Sequence, residues 1–290
     1  MAILQKKINL PVISIVIGTF NRPATINLLL KQLILESKKI NFEVIVYDQS
    51  DKKNYQKLSA IFPKNTCFKL IRLDHPNTCQ YLNLGWKNAR GAIVLYLDDD
   101  VQITKETIPA HINAYTNQKT MAVAGRVINA KEKINHSDRI GRVYFFGAII
   151  EKNFSSEKKA FVDFPYGCNM SFRKSILEKI DGFDEKLAPP IYSFNEVDLG
   201  IRVSKKWPNS IIFEPKALVY HKRYASGGTR SYKQSEIKAS TDFNYGYFLG
   251  KNFSLAENLL CLLRRIFFQL ANDPKAIPHI LKGFFYAKQV

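Results

Sequence analysis

Four short apolar runs recur in the first hundred residues: VISIVIG (12–18), EVIVYD (43–48), FKLIRLD (68–74) and AIVLYL (92–97). Apolar, β-branched runs without polar alternation are what strands covered on both faces require. Between the first two lies NRPATINLLLKQLILESKK, where Ile26, Leu29, Leu30 and Leu33 fall at helical spacing, Asn21 is placed to cap and Pro23 sits near the first turn. Further helices are expected over about 51–61 and 78–89. Strand–helix–strand units repeated in this way predict an α/β fold whose first half is a parallel, Rossmann-like sheet.

In open α/β sheets ligands bind beyond the carboxyl ends of the strands. Thr19, Asn21 and Arg22 follow the first run; Asp48, Gln49, Ser50 and Asp51 follow the second; Asp98, Asp99 and Asp100 follow the fourth. Three adjacent carboxylates repel one another, and losing water is costly for them unless a cation or hydrogen bonds compensate. Oxygen ligands of this kind select Mg²⁺ or Mn²⁺, which share phosphate oxygens with the protein. A polar, acidic edge therefore suits a ligand with a base, a ribose and a diphosphate. The same aspartates also read as a solvated turn, and strand context leaves both readings open.

The chain of 290 residues carries a formal net charge of +18, unevenly placed. Residues 201–290 hold 15 Lys and Arg against 5 Asp and Glu. That excess implies an anionic partner, whether membrane headgroups, nucleic acid or a phosphorylated substrate, or else a merely soluble basic surface. No apolar run reaches the roughly 18–20 residues that span a bilayer, and MAILQKKINLPVISIVIG reads as a lead into the first strand, so a soluble or peripheral protein is expected. Cys67, Cys79, Cys168 and Cys261 show no zinc spacing and are expected to be reduced thiols in a cytoplasmic protein.

Six ordered blocks, VISIVIGTFNRPATINLLLKQL, FEVIVYDQSD, NLGWKNARGAIVLYLDDDV, YGCNMSFRKSILEKIDGFDEKL, NEVDLGIRV and ALVYHKR, resemble the family-2 glycosyltransferases of the GT-A fold over residues 10–225. The resemblance implies a Rossmann-like nucleotide-binding half, a mixed central sheet and a nucleotide-sugar donor. On it, Thr19, Asn21 and Arg22 match the nucleotide pocket, and Asp48 matches the acidic contact to the base. Asp98 to Asp100 match the DxD element, with Asp98 toward the ribose, Asp100 as the metal ligand and Asp99 in either role. Gly167 and Asn169 match the segment near the donor sugar, though the glycine also suits a tight turn. His221 stands where some relatives place a metal or diphosphate ligand; a lone histidine after a strand is also commonly just hydrogen-bonded. The ASGGTR loop (225–230) is expected either to fold over the diphosphate through its amides and Arg230 or to act as a hinge.

The family's general base is the acid of a Glu-Asp pair at a helix start. Here FNEVDL has Asn195 and Glu196 where that pair would stand, which makes Glu196 the candidate base and Asp198 its reserve. Ser193 and Glu196 also form the S-x-x-E pattern of a capping box, an alternative reason for the carboxylate.

Beyond residue 231 the resemblance fades. Leu259, Leu262, Leu263, Ile266, Phe267 and Leu270 share one helical face, and Ile277, Ile280, Leu281 and Phe284 another, after Pro274 and Pro278 interrupt the chain. With Lys251, Arg264, Arg265, Lys275, Lys282 and Lys288 interleaved, these helices suit either docking on the domain or an anionic membrane surface.

The organisation expected is a glycosyltransferase domain over 1–225, with a donor half at about 10–105 and an acceptor half at about 106–225, and a basic helical tail over 226–290. The function expected is metal-dependent, inverting transfer from a UDP-, GDP- or dTDP-linked sugar to a glycan or lipid-linked acceptor, in the cytoplasm or on the inner face of the membrane. A nucleic-acid-binding protein is the competing class; no such motif supports it, and carboxylates at the ligand edge oppose it. A sugar nucleotidyltransferase would want a Gly-rich basic loop after the first strand, and GTFNRP is a poor match.

Overall fold

Parallel pairing of the four apolar runs builds one half of the central sheet. β1 (Ile13–Thr19) lies between β2 (Phe42–Asp48) and β4 (Ile93–Asp98), with β3 (Phe68–Arg72) outside β2. Every residue of β2 is buried, as the unbroken apolar pattern requires. The intervening helices α1 (Pro23–Glu36), α2 (Lys52–Ile61) and α3 (Thr78–Asn88) fall where the periodicity predicts. The structure, a computed structural model, describes residues 10–134, 136–144, 149–224 and 227–290. Residues 1–9, and Ala225 and Ser226 of the ASGGTR loop, lie outside the described residues.

One boundary differs from expectation. Asn21 does not cap α1; Arg22 is the N-cap and makes no side-chain cap bond. The Asn21 side-chain Oδ1 instead accepts from the Asp51 amide (3.1 Å) and the Asn54 side chain (3.2 Å), with the backbone of Asn21 at φ 55°. It pins the β1 turn to the start of α2.

The second half makes the sheet mixed. After β5 (Val101–Ile103) and α4 (Thr107–Ala114) come β6 (Ala122–Asn129), β7 (Arg142–Tyr144), β8 (Ile149–Glu151) and β9 (Ala160–Phe161). β10 (Asn169–Arg173), α5 (Lys174–Lys179), α6 (Asn195–Lys206) and β11 (Ile211–His221) complete it. The nine-stranded sheet has the order β3-β2-β1-β4-β10-β6-β11-β5, with β9 on β11, while β7 and β8 pair separately. β10 runs antiparallel between β4 and β6.

The tail folds as α7 (Gln234–Asn252), α8 (Leu255–Asn272) and α9 (Ala276–Tyr286). α7 and α9 cross at backbone contact: a Cβ at Gly246 would stand 1.9 Å from the Ile280 carbonyl oxygen, and one at Gly283 2.0 Å from that of Phe243. Lys251 and Asn252, ending α7, reach Asp198 on α6 at 3.0 and 2.8 Å, which docks the tail on the sheet-bearing part. Two expectations are corrected here. Pro278 does not interrupt the chain, because it sits in the first turn of α9, where its missing N–H costs no intrahelical bond. The α8 face also divides: Leu262 is buried, while Leu259, Leu263, Phe267 and Leu270 are exposed.

Candidate active site

Strand register brings distant residues to one edge. β1 and β4 pair Gly18 with Asp98, and β1 and β2 pair Thr19 with Asp48, so three strand ends open at the same level. β11 runs antiparallel to β5 and sets His221 opposite Val101, one residue beyond Asp100. The Lys222 amide donates to the Asp100 carbonyl at 3.0 Å and locks that register.

One ligand atom each from Asp98, Asp100 and His221 lies within 4.8 Å of the other two. His221 Nε2 is 3.0 Å from Asp100 Oδ1 and 3.7 Å from Asp98 Oδ2. Asp100 Oδ1 is buried, His221 Nε2 is its near neighbour, and no described residue gives it a well-aligned hydrogen bond. The other ring nitrogen, Nδ1, is 3.0 Å from Asn129 Oδ1, with that amide oriented to accept. In the neutral tautomer Nδ1 then carries the proton and Nε2 presents a lone pair. Two carboxylates and one imidazole nitrogen converging in this way fit a divalent cation.

Asp99 points the other way. Its carboxylate accepts from Thr19 Oγ1 at 2.6 Å and from Arg22 Nε at 3.2 Å, with a second, closer bond from Arg22 Nη2. Burial, opposed by Arg22 and Thr19, pushes this carboxyl up to about 7. Arg22 also reaches Asp100 Oδ2 at 3.1 Å. Gly227 and Gly228, both at positive φ, lie on the Arg22 stem, where a Cβ at Gly227 would stand 2.2 Å from Cγ. The glycines of the loop thus back the arginine.

Two cavities meet at this edge. The first, about 320 Å³, is lined by Thr19, Arg22, Asp98, Asp99, Asp100 and Arg230, together with Gln49, Tyr81, Arg223 and Tyr232. The second, about 630 Å³, holds Glu196 and Gly167 with Lys152, Tyr166, Tyr245 and Arg265. Asp98, Tyr81 and His221 line both. A Cβ on Gly167 would stand 3.9 Å from the Glu196 carboxyl carbon, so this backbone runs directly beside the acid.

The capping-box alternative for Glu196 does not hold. Phe194, in the left-handed region at φ 70°, is the N-cap of α6 and makes no side-chain cap bond. Ser193 Oγ instead accepts from Asn244 of α7 at 3.4 Å.

Other candidates stand outside the two linings. Asn21 braces the β1 turn, as described above. Asp48 is buried, its Oδ1 accepts from the Ser50 amide at 2.7 Å, its Oδ2 has no partner among the described residues, and burial raises its pKa. Asn169 is buried and donates to the carbonyls of Arg126 (3.1 Å) and Ala217 (2.7 Å), while Oδ1 faces His111 Nε2 at 2.9 Å. Asp198 is buried against Arg202 (2.9 Å), Lys251 and Asn252. Sequence reasoning did not find Tyr81, Tyr232, Tyr245 or Arg265 as lining residues. Gly18 carried the one local signal for Tyr81, since a Cβ there would meet the Tyr81 ring at 2.4 Å.

The glycosyl transferase family 2 profile matches residues 14–181. A dolichol-phosphate mannosyltransferase of Pyrococcus furiosus is 22% identical over 170 residues, which are 58% of this chain and 48% of that protein. An uncharacterized glycosyltransferase of Rickettsia conorii is 29% identical over 96 residues, 33% of this chain and 16% of that protein. The chain thus spans about half the length of the first relative and less of the second. Among solved structures, GalNAc-T7 with UDP, GalNAc and Mn²⁺ superposes with a TM-score of 0.69 at 14% identity, covering 97% of this chain and 54% of that one. S. aureus TarS 1–349 gives 0.58 at 15% identity, covering 90% and 73%. The mannosyltransferase PcManGT of Pyrobaculum calidifontis, in complex with GDP-Man and Mn²⁺, gives 0.54 at 16%, covering 97% and 76%. These likenesses show the GT-A fold expected from the sequence, and with the family profile matching more than half of its residues, the chain belongs to glycosyl transferase family 2.

Proposed function

We propose that this chain is a metal-dependent, inverting glycosyltransferase that moves a sugar from a nucleoside diphosphate to a hydroxyl acceptor. The observation that carries this reading is the Asp98, Asp100 and His221 cluster at the junction of two cavities, one lined by basic and polar strand-end residues and the other by Glu196. The first cavity suits the nucleotide. Arg22, Arg223 and Arg230 supply positive charge for a diphosphate, and Tyr81 and Tyr232 offer aromatic faces. Asp48 lies buried behind that lining, so its unpartnered Oδ2 would meet the N–H edge of a uracil, guanine or thymine base of a UDP-, GDP- or dTDP-linked donor only on local rearrangement of the turn after β2.

Asp98, Asp100 and His221 would hold Mn²⁺ or Mg²⁺, and that ion when bound supplies Lewis acidity to the leaving diphosphate. The chain's own residues do the rest. Glu196, in the first turn of α6, takes the proton of the acceptor hydroxyl as its oxygen bonds to the anomeric carbon. The bond from that carbon to the diphosphate oxygen breaks with its electron pair on the oxygen, which inverts the centre. Asp99 has a positioning part, holding Arg22 toward the phosphates. Asn169 fixes the strand beside Gly167, and Asp198 ties α6 to the tail. We take 1–225 as the transferase domain in two halves and 226–290 as its helical extension, in a cytoplasmic enzyme acting on a glycan or lipid-linked acceptor.

Thermal-shift binding of UDP, GDP and dTDP with and without Mn²⁺ tests the reading. One nucleotide should raise Tm, and more so with the metal. No response to any of the three under either condition would sink it.

A further inference from the structure

α8 has one face committed to the protein and another that nothing among the described residues covers. Asn258, Cys261, Leu262 and Gln269 are buried toward the protein, and Arg265 on the same helix lines the cavity that holds Glu196. Opposite them, Leu259, Leu260, Leu263, Phe267 and Leu270 are all exposed, Phe267 at 78% and Leu260 at 65%. At 100° per residue these five fall within about a third of a turn, a continuous apolar arc along the helix. Arg264 is exposed and borders the arc, four residues after Leu260 and three before Phe267.

We propose that this arc of α8 docks on an anionic bilayer surface, with Phe267 and its four leucine neighbours entering the boundary between headgroups and acyl chains. Charge selects this occupant. Residues 251–290 carry six Lys and Arg against two acidic residues, and Lys275, Lys282 and Lys288 around α9 are exposed. An anionic leaflet complements that charge, whereas a second copy of this chain, itself at +18, would bring like charge against it. No helix among the described residues is long and apolar enough to cross a membrane, which fits a helix lying in the interface plane. The consequence for function rests on the transferase reading. One helix then meets the bilayer with its outer face and walls the Glu196 cavity with its inner face, which suits an acceptor anchored in the same surface.

The test uses the full chain and sedimentation with vesicles of equal parts phosphatidylglycerol and phosphatidylcholine, with phosphatidylcholine alone as the comparison. The chain should bind the anionic vesicles, release as salt rises, and lose at least about tenfold in partitioning in the double variant Leu263→Glu, Phe267→Glu. Circular dichroism and the nucleotide thermal shift should match the parent, because neither residue belongs to the core or the cavities. Failure of the parent to bind anionic vesicles, or parental binding by a folded variant, overturns the proposal. A parent that sediments as a dimer and becomes monomeric in the variant also overturns it, in favour of a second copy on this face. Should the parent bind vesicles but no nucleotide, the transferase reading fails and the docking surface stands.

Discussion

His221 Nε2 faces Asp100 Oδ1 at 3.0 Å, and the second ring nitrogen is held by Asn129 at the same distance. β-Sheet register makes both relationships, since His221 pairs with Val101 on one side and with Asn129 on the other. Asp100→Ala should abolish Mn²⁺-dependent nucleotide binding at a modest cost in stability, because it also removes the carboxylate that Arg22 and His221 share. Asn129→Ala should keep all three ligand residues yet lower Mn²⁺ affinity by about 10- to 100-fold, the usual effect of losing the partner that orients a histidine ligand. Titration of free Mn²⁺ by electron paramagnetic resonance reads both. Parental Mn²⁺ affinity in Asn129→Ala would mean that the imidazole needs no such support.

Asp198 separates a structural acid from a catalytic one. It is buried and holds Arg202, Lys251 and Asn252, so Asp198→Ala removes the one carboxylate that Arg202 and Lys251 share at the joint between α6 and α7, leaving Arg202 on carbonyls and Lys251 on Asp184 alone. The expected cost is about 3 kcal/mol of unfolding free energy by urea denaturation, typical of breaking a buried ion pair from one side. Nucleotide affinity of the folded fraction should be parental. A variant as stable as the parent but unable to transfer sugar would give Asp198 a place in the chemistry.

The donor half of the fold was legible because β1, β2 and β4 are buried almost throughout and α1 carries a regular apolar stripe; all three helices begin and end within about three residues of expectation. The aspartate run and His221 were legible as candidates from their positions at strand ends, but their convergence depends on β11 returning antiparallel to β5, a pairing that no local pattern encodes. Asn21 and the capping box of Ser193 and Glu196 were misread for one reason. Each side chain is engaged by a segment distant in sequence, Asn21 by Asp51 and Asn54 and Ser193 by Asn244, and such tertiary bonds override local capping preference. Tyr245 and Arg265 reach the second cavity because the tail docks through Asp184, Ala188 and Asp198, and periodicity gives the faces of a helix but not which of them finds a partner.

His111 gives the fold a pH dependence. It is wholly buried on α4, with Nδ1 2.8 Å from Ser171 Oγ and Nε2 2.9 Å from Asn169 Oδ1, and burial lowers its pKa from 6.5 to about 4. The sign follows directly. Between these values the unfolded chain binds a proton that the folded chain refuses, so stability present above pH 6.5 is lost as pH falls toward 4. A shift of that size corresponds to about 3 kcal/mol. Urea denaturation at pH 7 and pH 4.5 should show the loss in the parent and a smaller one in His111→Gln, which starts less stable but carries no titrating ring. Equal losses in the two proteins would show that His111 titrates as an ordinary histidine.

Glu196 is the residue on which the chemistry turns. It sits in the first turn of α6, lines the second cavity beside Gly167, and caps nothing, because Phe194 takes the N-cap position without a side-chain bond. Glu196→Gln keeps the side chain's length and removes its capacity to accept a proton. Its stability cost should stay under about 1 kcal/mol, the usual worth of an acid at a helix N-terminus. Donor affinity should be unchanged, since the cluster of Asp98, Asp100 and His221 and the arginines of the first cavity are untouched. Turnover to the acceptor should fall by about 10²- to 10⁴-fold, the range for losing a general base. The split between the two measurements identifies the role. Loss of donor binding would make Glu196 part of the nucleotide site, and parental turnover would move the base to another group in the second cavity.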